Sequence, residues 1–454
     1  MSTFKAQNIK FILSNTYAKD IFITKMIYIL GFIVFRMILD YAFCKYISSL
    51  YAYYMQLKYE PSSSKLFISY IFMIFLLMIT EFDKSKLESV IMSEELLIMV
   101  IPMFTLYAHS GKNQKFMFLV SAAYIFQIVF IKFYKQLRKN NRSFKIYNPN
   151  KWIVLIISSI LVISFIYSIS HFSFSFAALD FEHIYEIRSN TSLSFPFSYL
   201  LPWAFKICVV FLILLGLYSH RKLLWGSGIA LQLYFFFVLG NKSTFFSLLL
   251  LIASYIAIKK MDIIKIFGWG LAIVAALSIF LYEGANSITL LSYLVRRALL
   301  VPARIKFAYY EYYSVHSKLY FAGNTIGKIL GKHLSYLESP PKAIAEYLGV
   351  PDSYCNSGYF GDAYANFGAV GVFIFALVFI WFVLLISYKA ESMPYEVVCP
   401  FLIVLVYGLN DGALFTWLLG GGGLLAYLLL CLYRKSSKKK GTFNEKNMSF
   451  NKCS

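Results

Sequence analysis

Charge is what this sequence has least of. Of its 454 residues only 14% are Asp, Glu, Lys or Arg, and 59% are hydrophobic, with aromatics alone making up 19%. That is more apolar surface than one water-soluble core could bury, so a soluble globular domain is excluded. Cysteine is sparse and scattered. Cys44, Cys208, Cys355, Cys399, Cys431 and Cys453 form no CxxC pair and no metal-ligand spacing, which argues against a disulfide framework or a zinc site. His171, His183, His316 and His333 are too dispersed for a metal cluster or a catalytic triad. No internal repeat is apparent, and "GGGG" (Gly420 to Gly423) lacks the Lys-Ser/Thr of a phosphate loop, so it reads as close helix packing. The N-terminal stretch shows no small-residue cleavage site after a short apolar core. The first span is therefore expected to act as its own insertion signal.

What is abundant is long apolar runs. Segments near 21–43, 64–81, 95–110, 115–133, 152–172, 198–218, 223–240, 244–258, 263–283, 368–388, 396–410 and 412–433 are each read as membrane spans. This predicts an all-α polytopic membrane protein of about twelve transmembrane helices, with both chain ends on one face. Lys and Arg outnumber Asp and Glu by 43 to 22, and the excess gathers in 132–151 and in the tail from Tyr433. A basic run could bind nucleic acid, but beside spans it marks the cytoplasmic side, and no nucleic-acid partner is expected. "SHRK" (Ser219 to Lys222) and "KKMDIIK" (Lys259 to Lys265) fall on the same side. The weak point is 81–110, where an acidic stretch precedes a short, Pro-interrupted span. The chain thus divides into N-terminal helices (1–283) with a short outer segment near 171–198, a large outer loop (284–367), C-terminal helices (368–433) and a basic tail (434–454).

Chemistry-bearing residues collect on the outer side. In "SITLLSYLVRRALLVPARIKFAYYEYYS" helical periodicity predicts an amphipathic helix along the interface, broken at Pro302. Arg297 and Arg304 are seven apart and, with Arg296, could face one phosphate-bearing ligand or simply lipid headgroups. "DFEHIYEIRSN" (Asp180 to Asn190) packs Glu182, Glu186 and Arg188 into an apolar surrounding; Glu182 and Glu186, one turn apart, could meet a sugar hydroxyl or merely be solvated. Lys242, in the "GNKS" turn at a helix start, suits an anion or a snorkelling position. In "NSGYFGDAYANFGAVGV", Asp362, Tyr364 and Asn366 precede the span starting near Gly368. Asp362 reads as a base or as favourable charge at a helix start, Asn366 as a helix cap, and the glycines as points of close approach. Tyr309, Tyr310, Tyr312 and Tyr313 suit sugar stacking or an interfacial belt.

The order of "IYEIRSN", "GNKS", "RRALLVPARIKFAYY" and "GYFGDAYANFGAVGV" resembles the bacterial oligosaccharide repeat-unit polymerases, the Wzy O-antigen polymerase family, over about the second two-thirds of the chain. The resemblance implies a GT-C-like glycosyltransferase of the bacterial inner membrane, its active site facing the periplasm. Such an enzyme joins oligosaccharide units carried on undecaprenyl diphosphate, making O-antigen or capsule, with membrane lipids and a chain-length regulator protein as further partners. It implies Asp362, with Glu186 second, as catalytic groups. Arg188, Lys242, Arg296, Arg297, Arg304, Tyr364 and Asn366 would bind substrate and diphosphate. The family often carries Arg where this chain has Lys242. No metal or other cofactor is needed, because preplaced cations can stabilise a diphosphate leaving group. An O-antigen ligase and a flippase for lipid-linked sugars are the rival readings; the flippase should show charges deep in several spans and no large outer domain.

Overall fold

The computed structural model describes residues 2–137, 147–148, 151–176, 193–324, 326–327, 330–332, 334, 338–391, 393–432 and 434–435. Among them ten helices are long and apolar enough to cross a membrane. In chain order the helices are α1 (Asp20–Leu50), α2 (Ser63–Ile79), α3 (Leu87–His109), α4 (Gln114–Leu137), α5 (Trp152–His171), α6 (Phe197–Tyr218), α7 (Lys222–Leu239), α8 (Lys242–Lys260) and α9 (Ile263–Ala285). Then come α10, a π-helical stretch Leu291–Leu300 running into Val301–Val315, and α11 (Pro340–Tyr347). Last are α12 (Gly358–Ala390), α13 (Tyr395–Tyr407) and α14 (Leu414–Cys431). The chain is an all-helical, multi-pass membrane protein; α2 and α13 are the shorter apolar helices. Helices satisfy every backbone group internally, which a bilayer demands. Local signals set some starts: Ser62 caps α2 by accepting from the Lys65 N–H, and Asp262 caps α9 by accepting from Ile264 and Lys265.

Tertiary contacts sort the connections into two ends. At the loop-rich end, Arg304 of α10 donates to the Met55 carbonyl, Gln56 to the Tyr347 carbonyl, and Glu60 bridges Ser110. At the opposite end Lys84 pairs with Asp262, Tyr395 donates to the Lys84 carbonyl, and Lys135 pairs with Glu81. A two-residue antiparallel pair, Tyr147–Asn148 with Arg434–Lys435, brings segments of the two basic clusters together, as expected of clusters on one face.

The structure departs from the sequence reading at three elements. The third span starts at Leu87, not 95, and the second part of the acidic stretch lies inside it: Glu88, Glu94 and Glu95 are all buried. Acid content pointed to a loop, yet tertiary burial carried the helix through. Pro302 does not break α10: it follows directly on the π-helical stretch, whose wider turn is where a helix takes in a residue that cannot donate. Nor is this helix laid along a surface, since residues 301–309 are buried on every side, among α3, α4 and α12.

α12 is the third departure. It begins at Gly358, ten residues before the predicted span, and its backbone leaves helical geometry at Phe367 and Gly368 (φ 62°, ψ −145°). A continuous helix would put residues 359 and 379 about 30 Å apart. Their rings are 5.4 Å apart, and a Cβ on Gly371 would meet the Ala363 carbonyl at 2.3 Å. α12 is therefore a hairpin. A short arm, 358–366, rises toward the loop-rich end, and a long arm, 369–390, crosses back.

Candidate functional site

Where the short arm begins, it meets the turn between α13 and α14. The Gly358 N–H donates to the Asp411 carbonyl (3.2 Å) with φ 58°, and a side chain there would strike the Asn410 carbonyl at 2.5 Å and Lys306 Cε at 2.7 Å. Only glycine fits this approach. Lys306 of α10 is completely buried; its ammonium donates to the Asn410 carbonyl (2.9 Å) and to Asn410 Oδ1 (2.7 Å). Asn410 in turn donates to the Ala298 carbonyl (2.9 Å). The three elements are thereby locked around one lysine. Burial pulls the Lys306 ammonium down to about 7, against the opposing pull of Asp411.

Asp411 is the accessible group of this cluster. Its surface is open, yet protein surrounds it closely enough to push its carboxyl up, while Lys306, Arg297 and Lys206 pull it down. Open and surrounded together describe a recess. α13 runs 13 residues from the opposite end, about 20 Å of helix against about 30 Å of hydrocarbon, so on its own it is shorter than a full crossing. Three basic side chains lie within electrostatic reach of one carboxylate, and those of Arg297 and Lys206 are exposed. Such a recess accepts an anion and leaves one carboxylate free to take a proton.

Of the residues the sequence nominates, Arg297 lies in this recess. Asp362 adjoins it: the carboxylate accepts from Asn366 Nδ2 (2.9 Å) and from the Leu414 N–H, which ties the short arm to α14. Both bonds hold it in place and it is nearly buried, so Asp411 is better exposed to act as base. Lys242 Nζ lies 3.3 Å from the Tyr293 hydroxyl, and Tyr293 is four residues before Arg297 on α10, which brings the "GNKS" turn alongside.

The others are placed elsewhere. Arg304 does not share a face with Arg297. Its guanidinium is buried and fully engaged, with the Met55 carbonyl at 3.1 Å, Gln56 Oε1 at 2.9 Å and Glu311 Oε2 at 3.0 Å. The seven-residue return assumes α-helical spacing, and the π-helical stretch through residue 300 widens the turn. Arg296 points to another side, stacked over Tyr51 at 4.1 Å and bonded to Ser292. Tyr364 packs against Tyr310 and under the Lys318 ammonium. Asn366 is no helix cap: its Oδ1 accepts from the Phe321 N–H (2.7 Å), pinning the outer loop to the hairpin tip. Of the tyrosine run, Tyr309 and Tyr313 are buried, so only Tyr310 and Tyr312 retain partial exposure. Glu186 and Arg188, with Glu182, lie outside the described residues.

Sequence reading passed over Lys306, Asn410 and Asp411 as site residues. The signal was present: a lysine on the apolar face of α10, and an "NDG" turn between two spans. An open surface trough along α5, lined by Val154, Leu155, Ser158, Ser159 and Val162, carries no charge and is no part of this site. No protein-family model, no curated protein and no solved structure matches the chain.

Proposed function

We propose that the protein is a GT-C-like glycosyltransferase of the bacterial inner membrane, with twelve spans. It polymerises undecaprenyl-diphosphate-linked repeat units of O-antigen or capsule at the periplasmic face. The supporting observation is the recess in which Arg297, Lys206 and Lys306 lie within electrostatic reach of the accessible Asp411, at the end of the short α13. A lipid-linked diphosphate carries the negative charge that such a recess accepts. The acceptor hydroxyl attacks the anomeric carbon as the bond to the diphosphate oxygen breaks. The hydroxyl proton passes to Asp411, and the leaving electron pair settles on a diphosphate held by Arg297 and Lys206, with Lys242 nearby. Cations already in place supply several kcal/mol to such a transition state without a metal. Asp362 positions the short arm that carries Gly358 to the recess.

One observation favours a flippase for the same lipid-linked sugars as the second reading: charged groups lie deep in several spans, among them Arg36, Asp40, Glu94 and Glu95. The glycan ladder of a deletion strain separates the two. A polymerase deletion leaves single repeat units attached to the lipid core, and the wild-type gene restores the ladder. A strain with no attached unit points to the flippase or to a ligase, and an unchanged ladder rejects all three.

A further inference from the structure

The acids of α3 take no part in the recess. We propose that Glu94 and Glu95 form a proton-binding pair in the core of the bundle.

α3 is buried along its whole apolar stretch, and the two side chains are 3% and 0% exposed. Glu95 is supplied with donors. The Tyr359 hydroxyl donates to its Oε1, and the Gln127 amide, in the orientation that satisfies both its own ends, places its nitrogen 3.1 Å from Oε2. Glu94 Oε2 is buried with no hydrogen-bond partner. Among the described residues no ion pair involves either acid. A lone buried carboxylate costs several kcal/mol in desolvation, and a second charge beside it adds repulsion. The pair therefore holds at least one proton, on Glu94, while Glu95 is the member whose donors support a negative charge.

The groups facing the pair come from three neighbouring helices. Cys399 and Tyr407 of α13 lie within electrostatic reach of Glu94, while Tyr124 and Gln127 of α4 and Tyr359 of α12 surround Glu95. None is a cation. Protonation of the pair does not rest on the transferase reading.

Infrared spectroscopy of the full-length protein in lipid nanodiscs reads this directly. The wild type should show the carbonyl stretch of a protonated carboxylic acid at neutral pH. Glu94→Gln should lose that band and Asp362→Asn should keep it. A band unchanged by Glu94→Gln overturns the proposal. Should Glu94→Gln fail to fold, the wild type is treated with a hydrophobic carbodiimide, which modifies only protonated carboxyl groups. A mass adduct on the Glu94 peptide supports the pair, and an unmodified Glu94 peptide rejects it. Neither readout involves a glycan, so failure of the polymerase reading leaves both intact.

Discussion

Two arginines seven residues apart have opposite fates, and the difference can be measured. Arg297→Ala removes an exposed cation from the recess, so it should leave thermal stability within about 0.5 kcal/mol of wild type while shortening glycan chains to single units. Arg304→Ala strips three acceptors of their donor and leaves Glu311 without its guanidinium, so it should cost about 3 kcal/mol of stability. Equal loss of folded protein in both would refute the division. Lys306 adds a pH signature. Its pKa is about 7 in the fold against 10.5 unfolded, so between those values the unfolded chain binds a proton the fold lacks. Stability should rise with pH across that window, and Lys306→Met should flatten the rise in thermal scans. Gly358→Ala forces a Cβ into the Asn410 carbonyl at positive φ and should cost about 2 kcal/mol or more. The glycine's role was legible from its place in a polar turn. Arg304's was not, because periodicity cannot show which side of a helix a distant loop covers.

Helices exist in sequence as apolar runs, and nearly all were legible that way. What hydropathy could not carry was direction. "NSGYFGDAYANFGAVGV" has the composition of a loop feeding a span, yet its first half is a helical arm folded back on the second half, with Gly368 supplying the reversal. The pairing of Tyr359 with Phe379 is fixed by packing between residues 20 apart, which no local pattern encodes. Cysteines placed at these two positions should be joined by a short thiol crosslinker in the folded protein, since a straight helix would hold them about 30 Å apart. Absence of the crosslink in otherwise stable protein would restore the continuous helix. α3 makes the converse point. Its acids looked like loop residues because burial of Glu94 and Glu95 depends on α4, α12 and α13 closing around them.

For the molecule as a whole, charge distribution and connectivity agree on two unlike ends. The loop-rich end gathers 51–62, 110–113, 310–324 and 338–356, while the opposite end gathers 80–86, 259–262 and the paired segments of the basic clusters. The sequence anticipated this from lysine and arginine counts alone, since membrane insertion responds to those charges whatever the helices later pack against. The site was only half legible, because the recess draws on α6, α10, the α12 hairpin and the α13–α14 turn, whose proximity is tertiary. If the basic end is cytoplasmic, a membrane-impermeant maleimide added to intact spheroplasts should label Asp352→Cys and spare Ser219→Cys until the cells are opened. Both would be built on a background with the six native cysteines changed to Ser. Labelling of both positions in intact cells would place them on one face and break the odd number of crossings, α7, α8 and α9, between them. Labelling of Ser219→Cys alone would invert the protein, and with it the face on which the proposed polymerisation takes place.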